Sequence, residues 1–223
     1  MDNGHTVAQA NTILSVIVGS RLHGTFDENS DYDYRGVFIV PLEEVLSPFR
    51  SPKETSWVEG QTDDTSYELR HFCKMCTQGN PSSLEVLVGI PKLMTAKGEE
   101  LRSLLPKFIS KQRCFDAFVG YSRNQEKKFR DNFQGRKYKY ATAHIRTLYQ
   151  LLHLLEKGEL VGTYSGGVVS ELKQIKNGVN RDQDIFARVF ELEALCREAL
   201  PKSTLPESPD IEAIEKFIIS CYA

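Results

Sequence analysis

Between Gly19 and Val40 the chain reads GSRLHGTFDENSDYDYRGVFIV. Asp31 and Asp33 stand two residues apart just ahead of an apolar run, and a Gly19-Ser20 step closes an earlier apolar run. Side chains alternate along a strand, so two carboxylates at this spacing share a face. Hard oxygen anions that close repel one another unless a cation sits between them. A Gly-Ser turn can bring backbone N–H groups and a hydroxyl to phosphate oxygens. Phosphate cradle and paired carboxylates together point to metal-dependent nucleotidyl transfer, in which carboxylate-held ions activate a hydroxyl and steady the triphosphate.

That chemistry calls for a third carboxylate on a neighbouring strand. Glu68 fits best, set between Tyr67 and Leu69 on an expected strand, with Asp64 and Asp63 as alternatives. All-oxygen ligands that share an ion with phosphates suit Mg²⁺, with Mn²⁺ as a substitute. Ser20 and the Gly19 backbone would hold the phosphates of the leaving pyrophosphate, and Arg21 and Arg35 are flanking cations able to neutralise phosphate or carboxylate.

The elements that must position these groups are legible in the hydrophobic pattern. Residues 14–18 (LSVIV) read as a buried strand ending at Gly19, and residues 35–40 as a second strand stopped by Pro41. Residues 42–46 suggest a helical turn, 57–64 are ambiguous, and 65–69 read as a third strand. A helix over 70–78 closes at Gly79, and Asn80-Pro81-Ser82 opens another. Beyond about residue 97 helical periodicity takes over. Its clearest stripe is Leu148, Leu151, Leu152 and Leu155, ending near Gly158, followed by helices over 168–175, 185–200 and 211–219. These signals predict an α+β protein, with an N-terminal domain of alternating strands and helices over 1–100 and a helical domain over 101–223.

The chain has 223 residues, 40% hydrophobic and 26% charged, with a net charge of −2. That composition is globular, and the charge argues against polyanion binding by the chain as a whole while leaving room for a local basic surface. No apolar run approaches the roughly 20 residues that cross a bilayer. The N-terminus lacks the basic start and apolar centre of a signal peptide. Five cysteines, an odd number, favour reduced thiols and a cytoplasmic setting. Cys73 and Cys76 lie three apart but lack a second ligand pair at zinc spacing, so packed thiols are expected.

Taken in order, GSRLHG, SDYDYRGVFIVP, YELRHF, NPSSLEVL and HIRTLYQLLHLLEKGEL resemble the DNA polymerase β-like nucleotidyltransferase superfamily. More narrowly they resemble its RNA-repair-pathway polymerase-β family, over residues 14 to 178. The resemblance implies a polymerase-β-like palm followed by a helical bundle, Mg²⁺-dependent transfer from an NTP, and a role in RNA end processing. By that likeness Asp31, Asp33 and Glu68 match the catalytic, metal-binding acidic positions, and Gly19 and Ser20 the phosphate-binding turn. Two departures stand out: Leu22-His23 replaces a common Ala-Tyr pair, and the third carboxylate is Glu.

In RKYKYATAHIR, residues 136–146, cations alternate with tyrosines, as in grooves that bind phosphate or stack a base. Lys139 and Arg146 are its candidate phosphate ligands. Arg146 shares a helix side with Gln150 and cannot share one with His144. The expected substrate is an NTP, and the expected acceptor an RNA end, with a protein or small-molecule hydroxyl as second choice. A nucleotide-binding or regulatory module without transfer is the rival of another class.

Overall fold

The computed structural model describes residue 8, residues 10–49, the backbone of 54–59 and 62–63, and residues 64–223. Strand β1 (Thr12–Val18) runs through the middle of the protein and alternates buried with half-buried side chains. It ends in a single helical turn, α1 (Gly19–Leu22). Strand β2 (Tyr32–Phe38) returns antiparallel to β1, and the short α2 (Leu42–Leu46) follows it. β3 (Glu54–Glu59) and β4 (Thr62–Glu68) form a hairpin, and β4 lies parallel to β2. β5 (Ile90–Met94) closes the far edge, giving a five-stranded mixed sheet in the order β3-β4-β2-β1-β5.

Helix α3 (Leu69–Thr77) grows directly out of β4, and α4 (Pro81–Val88) follows. As the Asn-Pro-Ser signal requires, the Asn80 side chain accepts from the Ser83 N–H at 3.1 Å, and Pro81 occupies the first turn, where no N–H is needed. Then come α5 (Ala96–Ser103), α6 (Leu105–Phe108) and the long α7 (Lys111–Arg130) and α8 (Lys137–Lys157), which form a helical hairpin. α8 ends where Gly158 takes φ +75°. α9 (Gly166–Lys176), α10 (Asp182–Ala199) and α11 (Ile211–Ser220) complete the helical part.

One buried cluster joins the sheet to the helices. Leu14, Val16 and Val37 pack with Leu69, Phe72 and Leu84, and onward to Leu151 of α8 and Phe217 of α11. A second cluster, Phe129, Ile145, Leu148, Leu172, Ile185 and Leu192, lies within the helical part. The cysteines 73 and 76 are core residues, and burial pushes both thiols up. Among the described residues no helix is long and apolar enough to cross a membrane.

Beside the second cluster, His144 is fully buried with its Nδ1 2.6 Å from the Ser122 hydroxyl. Burial pushes its pKa down to about 4, outweighing the raising pull of Glu126 and Glu193, while Arg130 adds to the depression. Because the folded value lies below the unfolded one near 6.5, the neutral ring's contribution is complete above that pH. It fades as pH falls toward 4, by about 3 kcal/mol in total. Thermal melts between pH 7.5 and 4.5 should show this loss, and His144→Gln should flatten that part of the profile.

Candidate active site

The Gly-Ser turn and Asp33 meet at the end of β1. Val18 pairs with Asp33 across the β1–β2 ladder, so β1 delivers the turn directly beside the carboxylate that β2 carries. Gly19 has φ +65°, a left-handed conformation that favours glycine. A Cβ on Gly19 would lie 2.1 Å from Asp33 Oδ2, so the carboxylate rests directly against the turn. Two independent constraints therefore fix glycine here. Gly19→Ala should cost about 1–2 kcal/mol in backbone strain and displace Asp33. Since about 1 Å of misplacement costs roughly 100-fold in rate, single-turnover transfer should fall by about that factor in a variant that still folds.

Asp31 lies in the exposed loop just before β2 rather than on the strand. Arg21 fastens that loop: its guanidinium donates to the carbonyls of Ser30 at 2.9 Å and Asp31 at 3.3 Å and stacks 3.6 Å from the Tyr32 ring. Arg35, two residues beyond Asp33 and opposite Val16, donates to the Tyr34 carbonyl at 2.7 Å. Lys176, at the end of α9, clamps the same loop from the helical side. Its ammonium donates to the Thr25 carbonyl at 3.0 Å, Asp27 at 2.6 Å and the Ser30 hydroxyl at 3.2 Å. That ammonium holds the Asp27 carboxyl below its ordinary range.

The turn itself is locked from behind. The backbone N–H of His23 donates to Gly19 O at 3.1 Å, closing α1. The His23 ring is buried, with Nδ1 2.7 Å from the Gly162 carbonyl and Nε2 2.8 Å from Glu85 Oε1. Arg146 donates to the same Glu85 oxygen at 2.7 Å and to Gln150 at 3.0 Å. Burial, the largest single influence, pushes Glu85 up, but Arg146 and His23 together hold it at about 2. Arg146 is thus an interior ion-pair residue whose side chain is only 12% exposed, joining α8 to α4 and, through His23, to the turn. Lys139, by contrast, is exposed on the first turn of α8.

Glu68 does not join the aspartates. The parallel register sets Asp33 opposite Asp63 and Phe38 opposite Glu68, five positions further along. At about 3.3 Å per residue that is roughly 17 Å away. Glu68 is buried and caps α3, accepting from the His71 N–H at 3.2 Å, from Arg70 at 3.0 Å and from the Tyr222 hydroxyl at 3.2 Å. The sequence expectation failed here because large flanking side chains mark burial, which a helix cap satisfies as well as a metal ligand does. Asp64 pairs with Tyr34, so alternation sets it on the other face from Asp33. Glu68→Ala should lower stability by about 1–2 kcal/mol through the lost cap and leave transfer intact, measured by melting and initial rates side by side.

Residues 1–218 match the sequence model of a family described as RNA repair pathway DNA polymerase beta. The chain belongs to that family. That description names a polymerase-β group, and the protein's own architecture is α+β, a mixed sheet with flanking helices. Over 135 residues, 53% of the chain, it is 27% identical to an uncharacterized 38.9 kDa protein from the nrdC–mobD intergenic region of Enterobacteria phage T4. The match spans only 38% of that relative's length. Among solved structures, a nucleotidyltransferase-like protein from Exiguobacterium sibiricum aligns over 99% of this chain and 77% of its own, at 12% identity and a TM-score of 0.31.

Within this family member, sequence reasoning passed over Lys176, Glu85 and Gly162 as parts of the site. Lys176 and Gly162 lie more than 130 residues from the loop and ring they hold, beyond any local pattern. Glu85 had one usable signal: it is a carboxylate inside the otherwise apolar stretch LEVLV, where an unpaired charge would not be tolerated.

Proposed function

We propose that this protein transfers a nucleoside monophosphate from an NTP to an acceptor hydroxyl and releases pyrophosphate. The observation that carries this reading is the Asp33 carboxylate seated on the Gly19 turn, with Asp31 two residues ahead of it. Asp31 and Asp33 would hold Mg²⁺, or Mn²⁺ in its place. The β2–β4 register sets the Asp63 backbone opposite Asp33, and the ligand role the sequence offers Asp63 falls on a side chain outside the described residues. This oxygen donor set suits a hard divalent ion. Such an ion neutralises the triphosphate and makes the attacking hydroxyl more acidic.

The chain's own groups then divide the remaining work. Ser20 and the Gly19 backbone bind the oxygens of the departing pyrophosphate, and Arg35 adds positive charge on the aspartate face. Arg21 and Lys176 hold the 25–31 loop, so that Asp31 meets the substrate in one orientation. The acceptor is an RNA end, a choice supported by the family's description, and the setting is the cytoplasm, in keeping with five free cysteines.

Pyrophosphate release from each of the four NTPs, with Mg²⁺ and pooled cellular RNA, tests the reading. Release that requires both RNA and Asp31 supports it. Release that persists undiminished in Asp31→Asn would reject the metal assignment.

A further inference from the structure

The net charge of −2 conceals a strong local imbalance at the free end of the α7–α8 hairpin. Between residues 123 and 139 there are seven Lys and Arg against two carboxylates. Of those two, Glu126 is already paired with Arg130 at 2.6 Å. Lys137 is matched by Asp182. Arg123, Lys127, Arg136 and Lys139 are exposed and have no ion-pair partner among the described residues. Unpaired like charges raise the energy of the folded state, so four of them at one end suit a polyanionic partner.

Aromatic rings sit among these cations. Phe133, at the hairpin tip, is 45% exposed and packs edge-on to Tyr140 at 5.9 Å, while Lys128 lies 5.9 Å from the Phe133 ring and 5.5 Å from that of Tyr140. The tip is held in an unusual backbone shape. Asn132 has φ +45° and Gln134 φ +55°, the only non-glycine residues with positive φ among those described. Each costs about 1 kcal/mol or more, and strain of this kind persists where a loop must present a side chain in one fixed way. Here the side chain between them is Phe133.

The tip is also tied to the aspartate loop. The Tyr138 ring packs against Gly178, where a Cβ would lie 2.7 Å from its edge, and Lys176, two residues earlier, holds Asp27 and Thr25. We propose that the end of the α7–α8 hairpin is the docking surface for a single-stranded nucleic acid, with Arg123, Lys127, Arg136 and Lys139 on successive phosphates and Phe133 stacking a base. The interleaved rings favour nucleic acid over an acidic protein, because bases stack on aromatic faces and carboxylates do not. The inference deepens the transferase reading by giving its acceptor strand a place, and it rests on that reading only for the strand's purpose.

The test is fluorescence anisotropy of a labelled 12-nucleotide single-stranded RNA, without NTP, across a salt series. Four phosphate contacts predict a slope of log affinity against log salt of about −3, falling to about −1.5 in Lys127→Gln/Arg136→Gln. That variant should bind RNA roughly tenfold more weakly, with its melting temperature and Mg·NTP affinity unchanged. Phe133→Ala should weaken RNA but not poly-glutamate. No RNA binding by the wild type, an unaltered slope in the double variant, or equal displacement of RNA by poly-glutamate and by unlabelled RNA would each overturn the proposal. Because binding is read without turnover, RNA bound at this tip with no transfer would sink the transferase reading alone. Transfer without binding at the tip would sink this inference alone.

Discussion

Glu85→Ala is expected to lower the melting temperature by about 10 °C. Glu85 is the one carboxylate that both Arg146 and His23 share, each within 2.8 Å of the same oxygen. Removing it strands a guanidinium in the interior with Gln150 as its one remaining side-chain acceptor among the described residues. Breaking a buried pair by deleting one partner costs about 3–5 kcal/mol. In a chain of this size each kcal/mol moves the midpoint by about 2–4 °C. Glu85→Met/Arg146→Met should recover most of the loss, because the penalty belongs to the unpaired charge rather than to the pair. The wild-type pair has an acid limit as well. Glu85 is held at about 2 against an ordinary 4.5, so its contribution is complete above about pH 4.5 and is lost as pH falls toward 2. A midpoint in Glu85→Ala within 2 °C of wild type would show that the cluster is not an interior strut.

Asp33→Asn should abolish transfer, by roughly a thousandfold or more, with stability unchanged or raised. The substitution keeps the shape of the group resting on Gly19 and removes its charge. In the metal-free protein it also removes one of two carboxylates set two residues apart in the chain. Loss of activity through misfolding would lower the midpoint, whereas loss through chemistry leaves it in place. Initial rates and thermal melts on the same preparations separate the two. Near-wild-type transfer by this variant would remove the aspartate pair from the mechanism.

Local signals carried the sequence reading where chemistry and backbone rules coincide. Gly19-Ser20, the Asn80-Pro81 helix start and the Gly158 stop each combine a residue type with a conformation that few others tolerate, and all are where the sequence set them, whereas Asp31, expected on a strand face with Asp33, lies in the loop just before β2. The boundary of β2 shifted toward the N-terminus, to Tyr32, because β4 pairs with the polar stretch that hydropathy alone leaves out. Register decided the fate of Glu68. Nothing in YEL distinguishes a strand-borne ligand from a helix cap; only the alignment of β4 with β2 does. β5 escaped notice because Ile90–Met94 is an exposed edge strand, with a proline and a lysine, that does not alternate. Arg146 was identified as important from its helix, yet its partner Glu85 lies 61 residues away and turns it from a candidate phosphate ligand into a buried support.

The most direct measurement of the central claim uses one NTP in two labelled forms, at the α- and at the γ-phosphate, with Mg²⁺ and pooled RNA. Nucleotidyl transfer predicts that α-label becomes covalently attached to nuclease-sensitive material while γ-label leaves in pyrophosphate, and that neither happens with Asp33→Asn. Attachment of γ-label, or α-label attached equally by wild type and Asp33→Asn, would contradict it.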